Sequence, residues 1–204
     1  MDGTLIDSRA DLAATVNHTR RDLSLPEISE DAVIACVGQG ARHLLTHAIP
    51  EAADRADELW ELFRSHYAEH MIESVKLYPG VAETLARLAA RGHPLGINTS
   101  KPAFATRAIL ERFSLAGFFG DAVVAGGDCD EKKPSPKPLF LCAERLGHRL
   151  GPEDWMVGDS WTDLDCAAAA GVKGAFCAFG FGTLGNSRYT ARIETFGELI
   201  DLVQ

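Results

Sequence analysis

Four short stretches combine residue types that suit phosphoryl chemistry. They are Met1-Asp2-Gly3-Thr4-Leu5, Thr99-Ser100-Lys101-Pro102, Lys132-Lys133-Pro134-Ser135-Pro136 and Gly158-Asp159-Ser160-Trp161-Thr162-Asp163. Asp159 and Asp163 stand one helical turn apart, so both carboxylates can face one point, where a hard cation such as Mg²⁺ finds the oxygen ligands it takes. The plainer reading is helix capping by Asp159 or Ser160. Lys133, in a loop before Pro134, offers a phosphate a point charge and screens nearby carboxylates from one another. Taken alone, it is a surface lysine. Thr99 closes a strand before a helix starting near Pro102, so its hydroxyl and the adjacent N–H groups can meet an anion at the helix N-terminus. Alone, it is a cap. Asp2-Gly3-Thr4 in isolation is no more than a polar turn at a terminus.

The elements that must position these residues follow from hydrophobic patterning. From Tyr78 onward short apolar runs alternate with helical patterns, the signature of βα units around a parallel sheet. Pro94–Asn98, Asp121–Ala125, Asp154–Val157 and Gly174–Ala178 read as strands. Helices are expected over Val81–Arg91, stopped by Gly92, and near 102–113, 137–147 and 162–170. The expected class is α/β, a doubly wound Rossmann-like parallel sheet whose ligands sit at the carboxyl ends of the strands. Residues 9–73 show helical periodicity instead, as in Leu44, Leu45, Ala48 and then Leu59, Leu62, Phe63, Tyr67. They read as a helical domain inserted between Asp7-Ser8 and Tyr78-Pro79-Gly80, which leaves 1–8 and 74–204 as the α/β core.

Composition narrows the partners. Of 204 residues, 46% are hydrophobic and 24% charged, and mean hydropathy is -0.04, as in an ordinary globular protein with a real core. Lys and Arg total 20 against 29 Asp and Glu, a net charge of -9 that argues against nucleic acid or an anionic membrane as partner. The five cysteines form no CxxC pair, and an odd number argues against a disulfide framework, so reduced core thiols in the cytoplasm are expected. No run approaches the roughly 18 apolar residues of a membrane span.

The order and spacing of the four stretches resemble the haloacid dehalogenase superfamily of phosphatases, and most of all the phosphoglycolate phosphatases with a helical cap. That family's motifs run Asp-x-Asp-Gly-Thr, then Thr or Ser after the next core strand, then Lys before Pro-x-Pro, then Gly-Asp-x-x-x-Asp. This sequence offers Asp2-Gly3-Thr4, Thr99, Lys133 with Pro134 and Pro136, and Gly158-Asp159 with Asp163. The resemblance implies that Asp2 is the general acid, its carbonyl touching the metal, while Thr99, Ser100 and Lys133 bind the phosphoryl group. Asp159 would ligate Mg²⁺ and Asp163 orient the metal shell. Gly38-Gln39-Gly40-Ala41-Arg42 resembles a cap loop that closes on substrate, which makes Arg42 a candidate contact for a substrate carboxylate, against the plainer reading of a solvated arginine. Phe179-Gly180-Phe181-Gly182 resembles a glycine-rich segment near the family's site, without an implied chemical role. The implied activity is Mg²⁺-dependent hydrolysis of a small phosphorylated metabolite, 2-phosphoglycolate first, by a monomer or homodimer.

Two positions depart from the pattern. The family's first Asp, the nucleophile, falls immediately before Met1, so the expectation is a start assigned to the internal Met of an Asp-Met-Asp-Gly-Thr motif, with the strand leading into it also outside the sequence. Ser100 stands where relatives usually carry Asn, which loosens the substrate assignment. The readings held beside the phosphatase are a phosphosugar mutase or a phosphatase of another substrate, and a catalytically inactive phosphate-binding or regulatory protein.

Overall fold

The computed structural model describes residues 1–203. The chain opens with β1 (Ile6–Asp7) and runs through α1 (Arg9–Asp22), α2 (Glu30–Ile34), α3 (Ala41–Ala48), a 3₁₀ segment (Pro50–Arg55) and α4 (Ala56–His70). Next come β2 (Lys76–Leu77), α5 (Val81–Ala90), β3 (Ile97–Pro102), α6 (Ala103–Arg112), α7 (Ala116–Phe119), β4 (Val123–Gly126) and α8 (Lys137–Arg145). The chain closes with β5 (Trp155–Gly158), α9 (Trp161–Ala170), β6 (Lys173–Cys177), β7 (Ala191–Ile193), a second 3₁₀ segment (Phe196–Glu198) and α10 (Leu199–Leu202). Two compact units result: Met1–Asp7 with the chain from Leu77 onward, and Ser8–Lys76. The helical stretch is thus one residue wider at its start and three at its end than the 9–73 drawn from sequence.

The α/β unit carries parallel strands. In β3–β4, Ile97 lies opposite Val123 and Pro102 opposite Gly126; in β5–β6–β7, Trp155 lies opposite Lys173 and Ala175 opposite Ala191. Helices α6 and α8 pack on the first group and α9 on β5 and β6. The α/β class holds, but the described strands form three hydrogen-bonded groups, β1–β2, β3–β4 and β5–β6–β7, instead of one continuous sheet. β3 and β5 share no ladder, and a cavity of about 720 Å³ is lined by both, through Ile97, Asn98, Met156 and Val157, together with Met1, Thr4 and Leu5.

Local chemistry explains where the elements start and stop. β3 begins at Ile97, whose N–H donates to the Ala122 carbonyl at 2.8 Å, and not at Pro94, which has no N–H to give. It runs on through the polar residues to Pro102, so Thr99 lies within the strand and does not close it. Ser160 caps α9 in a reciprocal capping box with Asp163, and Gly171, at φ 74, ends that helix in the left-handed conformation a glycine adopts without strain. Cys142, Cys166 and Cys177 are buried free thiols, as expected; burial pushes Cys142 and Cys166 up to about 11 and Cys177 higher still. Cys36 and Cys129 depart from the expectation: each sits in a connecting segment and is only half-buried.

The helical unit is organised around Val16, Val33, Leu44, Leu45, Ile49, Leu59, Phe63 and Tyr67, all fully or nearly fully buried. Two polar residues pin its loops. Asp11 accepts from the N–H groups of Ser74 and Val75, both at 2.9 Å. Arg20 donates to the carbonyls of Pro26 and Ala48, each at 2.7 Å, and pairs with Glu51 at 3.0 Å. Buried polar groups of this kind are tolerated because they are hydrogen-bonded. Among the described residues no helix is long and apolar enough to cross a membrane.

Candidate active site

The turn at the start of the chain, β3, the loop before α8 and the β5–α9 junction bring the expected chemistry together in the α/β unit. Met1 O accepts from Leu5 N–H at 2.8 Å and Ile6 O from Gly3 N–H at 2.9 Å, which folds Asp2 into a tight turn. Gly3, at φ 69, is needed there twice over: a side chain would be strained, and its Cβ would run into the Asp159 carboxylate. A Cβ at Gly158 would likewise strike Asp163.

Two lysine–aspartate pairs dominate the electrostatics. Lys133 Nζ lies 2.7 Å from Asp163 Oδ1 and donates to the Asn98 carbonyl at 3.2 Å. Lys101 Nζ lies 2.8 Å from Asp2 Oδ1, with the lysine side chain only 2% exposed. Burial, the largest single effect on Lys133, opposes its charge, but Asp163, with help from Cys166 and Asp159, more than offsets it and raises its pKa above the ordinary lysine value. The ammonium is therefore held charged, ready for an anion. Asp163 has both oxygens engaged, Oδ1 by Lys133 and Oδ2 by the Ser160 N–H at 3.1 Å. The cap of α9 is Ser160, as one of the sequence readings had it, and Asp163 completes the capping box while it pairs with Lys133.

Asp159 differs. Its Oδ2 accepts from the backbone N–H groups of Phe181 at 3.1 Å and Gly182 at 2.7 Å, which leaves Oδ1 for a cation. Burial, and next the charge of Asp163, push its pKa up to about 6. A carboxylate so crowded gains from a nearby positive charge, and oxygen donors are what Mg²⁺ takes, so the donor set fits a hard divalent cation. Lys133 supplies part of that charge. The oxygens of Asp2, Asp159 and Asp163 do not all close to within 4.8 Å of one another among the described residues. Asp163, doubly engaged, holds both Lys133 and the helix end.

The other expected residues divide. Thr99 is buried and its Oγ1 accepts from the Lys101 N–H at 3.2 Å, so it belongs with the pairs above. Ser100 is half-buried and out of step with the buried Ile97, Thr99 and Lys101, so strand alternation turns its side chain away from theirs. Arg42 lies in the helical unit, exposed and paired with Asp57 at 2.7 Å. Sequence reasoning passed over Lys101, although the alternation that buries Thr99 buries residue 101 as well. It also gave no role to Phe179-Gly180-Phe181-Gly182, whose backbone supplies the donors that hold Asp159.

Comparison with known proteins decides the family. The model of the haloacid dehalogenase-like hydrolases matches residues 1–177. The chain belongs to the haloacid dehalogenase-like hydrolases. It is 35% identical to the phosphoglycolate phosphatase of Escherichia coli K12, with all of this chain and 84% of that protein covered. The phosphoglycolate phosphatase of Aquifex aeolicus is 36% identical, with 89% and 83% covered. The crystal structure of a predicted phosphoglycolate phosphatase from Haemophilus somnus 129PT superposes with a TM-score of 0.90 at 30% identity, covering all of this chain and 95% of that one. The family and fold expected from the motifs hold, and these relatives support a phosphomonoesterase.

Proposed function

We propose that this haloacid dehalogenase-like hydrolase is a Mg²⁺-dependent phosphatase of a small phosphorylated metabolite, with 2-phosphoglycolate the first substrate to test. The observation that carries the reading is the buried set Asp2–Lys101, Lys133–Asp163 and the crowded carboxylate Asp159 around one end of the parallel strands. Relatives named phosphoglycolate phosphatase support the substrate.

Lys133 and Thr99 hold the phosphoryl oxygens by charge and hydroxyl. Asp159 and Asp2 would hold Mg²⁺, which when bound neutralises charge on the phosphoryl group. In the first step a carboxylate nucleophile attacks phosphorus, the bond to the ester oxygen breaks, and Asp2 gives that oxygen its proton. In the second, Asp2 takes a proton from water, water oxygen attacks phosphorus, and phosphate leaves. Lys101 Nζ, 2.8 Å from Asp2 Oδ1, holds that carboxylate in place. The family's motif order, Asp-x-Asp-Gly-Thr, makes the first of its two aspartates the nucleophile and the second, here Asp2, the acid and base. The helical unit corresponds to the cap that the resemblance implies, and Arg42 is its candidate contact for a substrate carboxylate.

The test is hydrolysis of a panel of small phosphate esters, 2-phosphoglycolate among them, with and without Mg²⁺, by this chain and by an extended version with an aspartate-ended strand added ahead of Met1. Turnover by the extended form alone, only with Mg²⁺, is the expected result. Absence of turnover from both forms would sink the phosphatase reading and leave a phosphate-binding protein.

A further inference from the structure

The helical unit holds a cluster that the phosphatase reading does not use. His66 and His70, four residues apart on α4, project from one face of the helix, and His18 meets them from α1. The rings are edge to face: His18 and His66 have centroids 5.3 Å apart at 73°, His18 and His70 5.1 Å apart at 88°. One nitrogen from each residue lies within 4.8 Å of the other two, and all three side chains are half-buried.

Two carboxylates hold the cluster from outside. Asp22 Oδ2 is 2.6 Å from His66 Nε2, and Glu73 Oε1 is 2.7 Å from His70 Nδ1. Each carboxylate holds one ring nitrogen and leaves the other to serve as a ligand. Glu69 adds a third carboxylate, 3.7 Å from His70 Nε2.

We propose that His18, His66 and His70 form a binding site for a divalent transition ion of the zinc class, which ties α1 to α4. Neutral nitrogen donors select Zn²⁺ and its neighbours over Mg²⁺, which takes oxygen. Zn–N bonds of about 2.0–2.1 Å in a tetrahedron place ligand nitrogens about 3.3 Å apart. The three nitrogens, within 4.8 Å of one another, come to that spacing by closing up to about 1.5 Å. Asp22, Glu69 and Glu73 offset the charge of the ion, against Arg21 beside His18. The site rests on residues of the helical unit and stands whether or not the phosphatase reading does.

The test is equilibrium dialysis of the full chain against Zn²⁺ in the presence of excess Mg²⁺, which keeps the core carboxylates occupied, together with the visible spectrum after loading with Co²⁺. The expected result is about one zinc per chain and the intense bands of tetrahedral cobalt, both retained in Asp159→Asn and both lost in His18→Asn and His66→Asn. Asp22→Asn and Glu73→Gln leave every ligand in place and should weaken zinc binding by about 10- to 100-fold. These two exposed substitutions decide the matter if a histidine variant fails to fold. Zinc uptake that ignores all four substitutions, or no uptake by the unmodified chain, overturns the proposal.

Discussion

The two units of this chain use paired charges in opposite ways. In the α/β unit Lys133 and Asp163 are each 8% exposed at the side chain, and Lys101 is more buried still. In the helical unit the pairs at His66–Asp22, His70–Glu73 and Arg42–Asp57 are much more open, with Asp57 91% exposed. A charge taken out of water is costly unless a partner holds it, so the buried pairs are fixed by their surroundings, and losing either member is expensive. An exposed pair is worth little and its members are free to change partners. The difference separates groups set to act on a substrate in place from groups able to move toward an incoming ligand.

The largest break in that comparison is Lys133→Ala. It strands Asp163, and with it Asp159, in a buried site without the ammonium, which should cost about 3–5 kcal/mol, read from urea unfolding. In an active form it should also lower kcat by about 10²-fold or more, the scale of losing a group that stabilises transition-state charge. Near-normal stability would show that water already screens the pair.

Arg20→Ala tests the one deeply placed cation of the helical unit by the same measure. The side chain is 4% exposed, and its loss leaves the carbonyls of Pro26 and Ala48 without their donor. About 2–3 kcal/mol should be lost in urea unfolding, with no change in kcat. A fall in kcat at unchanged stability would mean that Arg20 serves the chemistry instead.

How much of this arrangement was legible beforehand depends on the range of the interactions. Asp159 and Asp163 could be read because both act within one turn of α9, and Lys133 because its Pro-flanked loop follows a recognisable strand. The helices and most strands followed from apolar spacing, whereas β7 has only Ala191, Arg192 and Ile193 and no alternating apolar face to signal it. Lys101 was hidden because its partner, Asp2, is 99 residues away. His18 and His66 are hidden for the same reason, since only the packing of α1 on α4 brings them together. The start of β3 was misplaced because apolar content favoured Pro94 and Leu95, while the ladder is decided by which N–H groups exist to donate.

Ser160→Ala is a smaller perturbation at the same helix end. The Ser160 Oγ accepts from the Thr162 N–H at 3.4 Å, and Asp163 still accepts from the residue 160 N–H after the change. Half of the capping box therefore survives, and a loss of about 1 kcal/mol in urea unfolding is expected. A loss as large as that of Lys133→Ala would mean that the cap, and not the ion pair, fixes Asp163.

The smallest effect on stability belongs to Arg42→Ala, and it sharpens the comparison most. The Arg42–Asp57 pair is surface-exposed on both sides, so its removal should change unfolding by less than about 0.5 kcal/mol. If the exposed pairs are the ones free to change partners, the cost must appear elsewhere, as a higher KM for a substrate bearing a carboxylate with kcat nearly unchanged, the pattern of lost uniform binding. The same variant should treat a phosphate ester without a carboxylate as the unmodified enzyme does. A KM that rises equally for both esters would assign Arg42 to the phosphate or to the fold of its own loop, and an unchanged KM for both would leave it a solvated arginine.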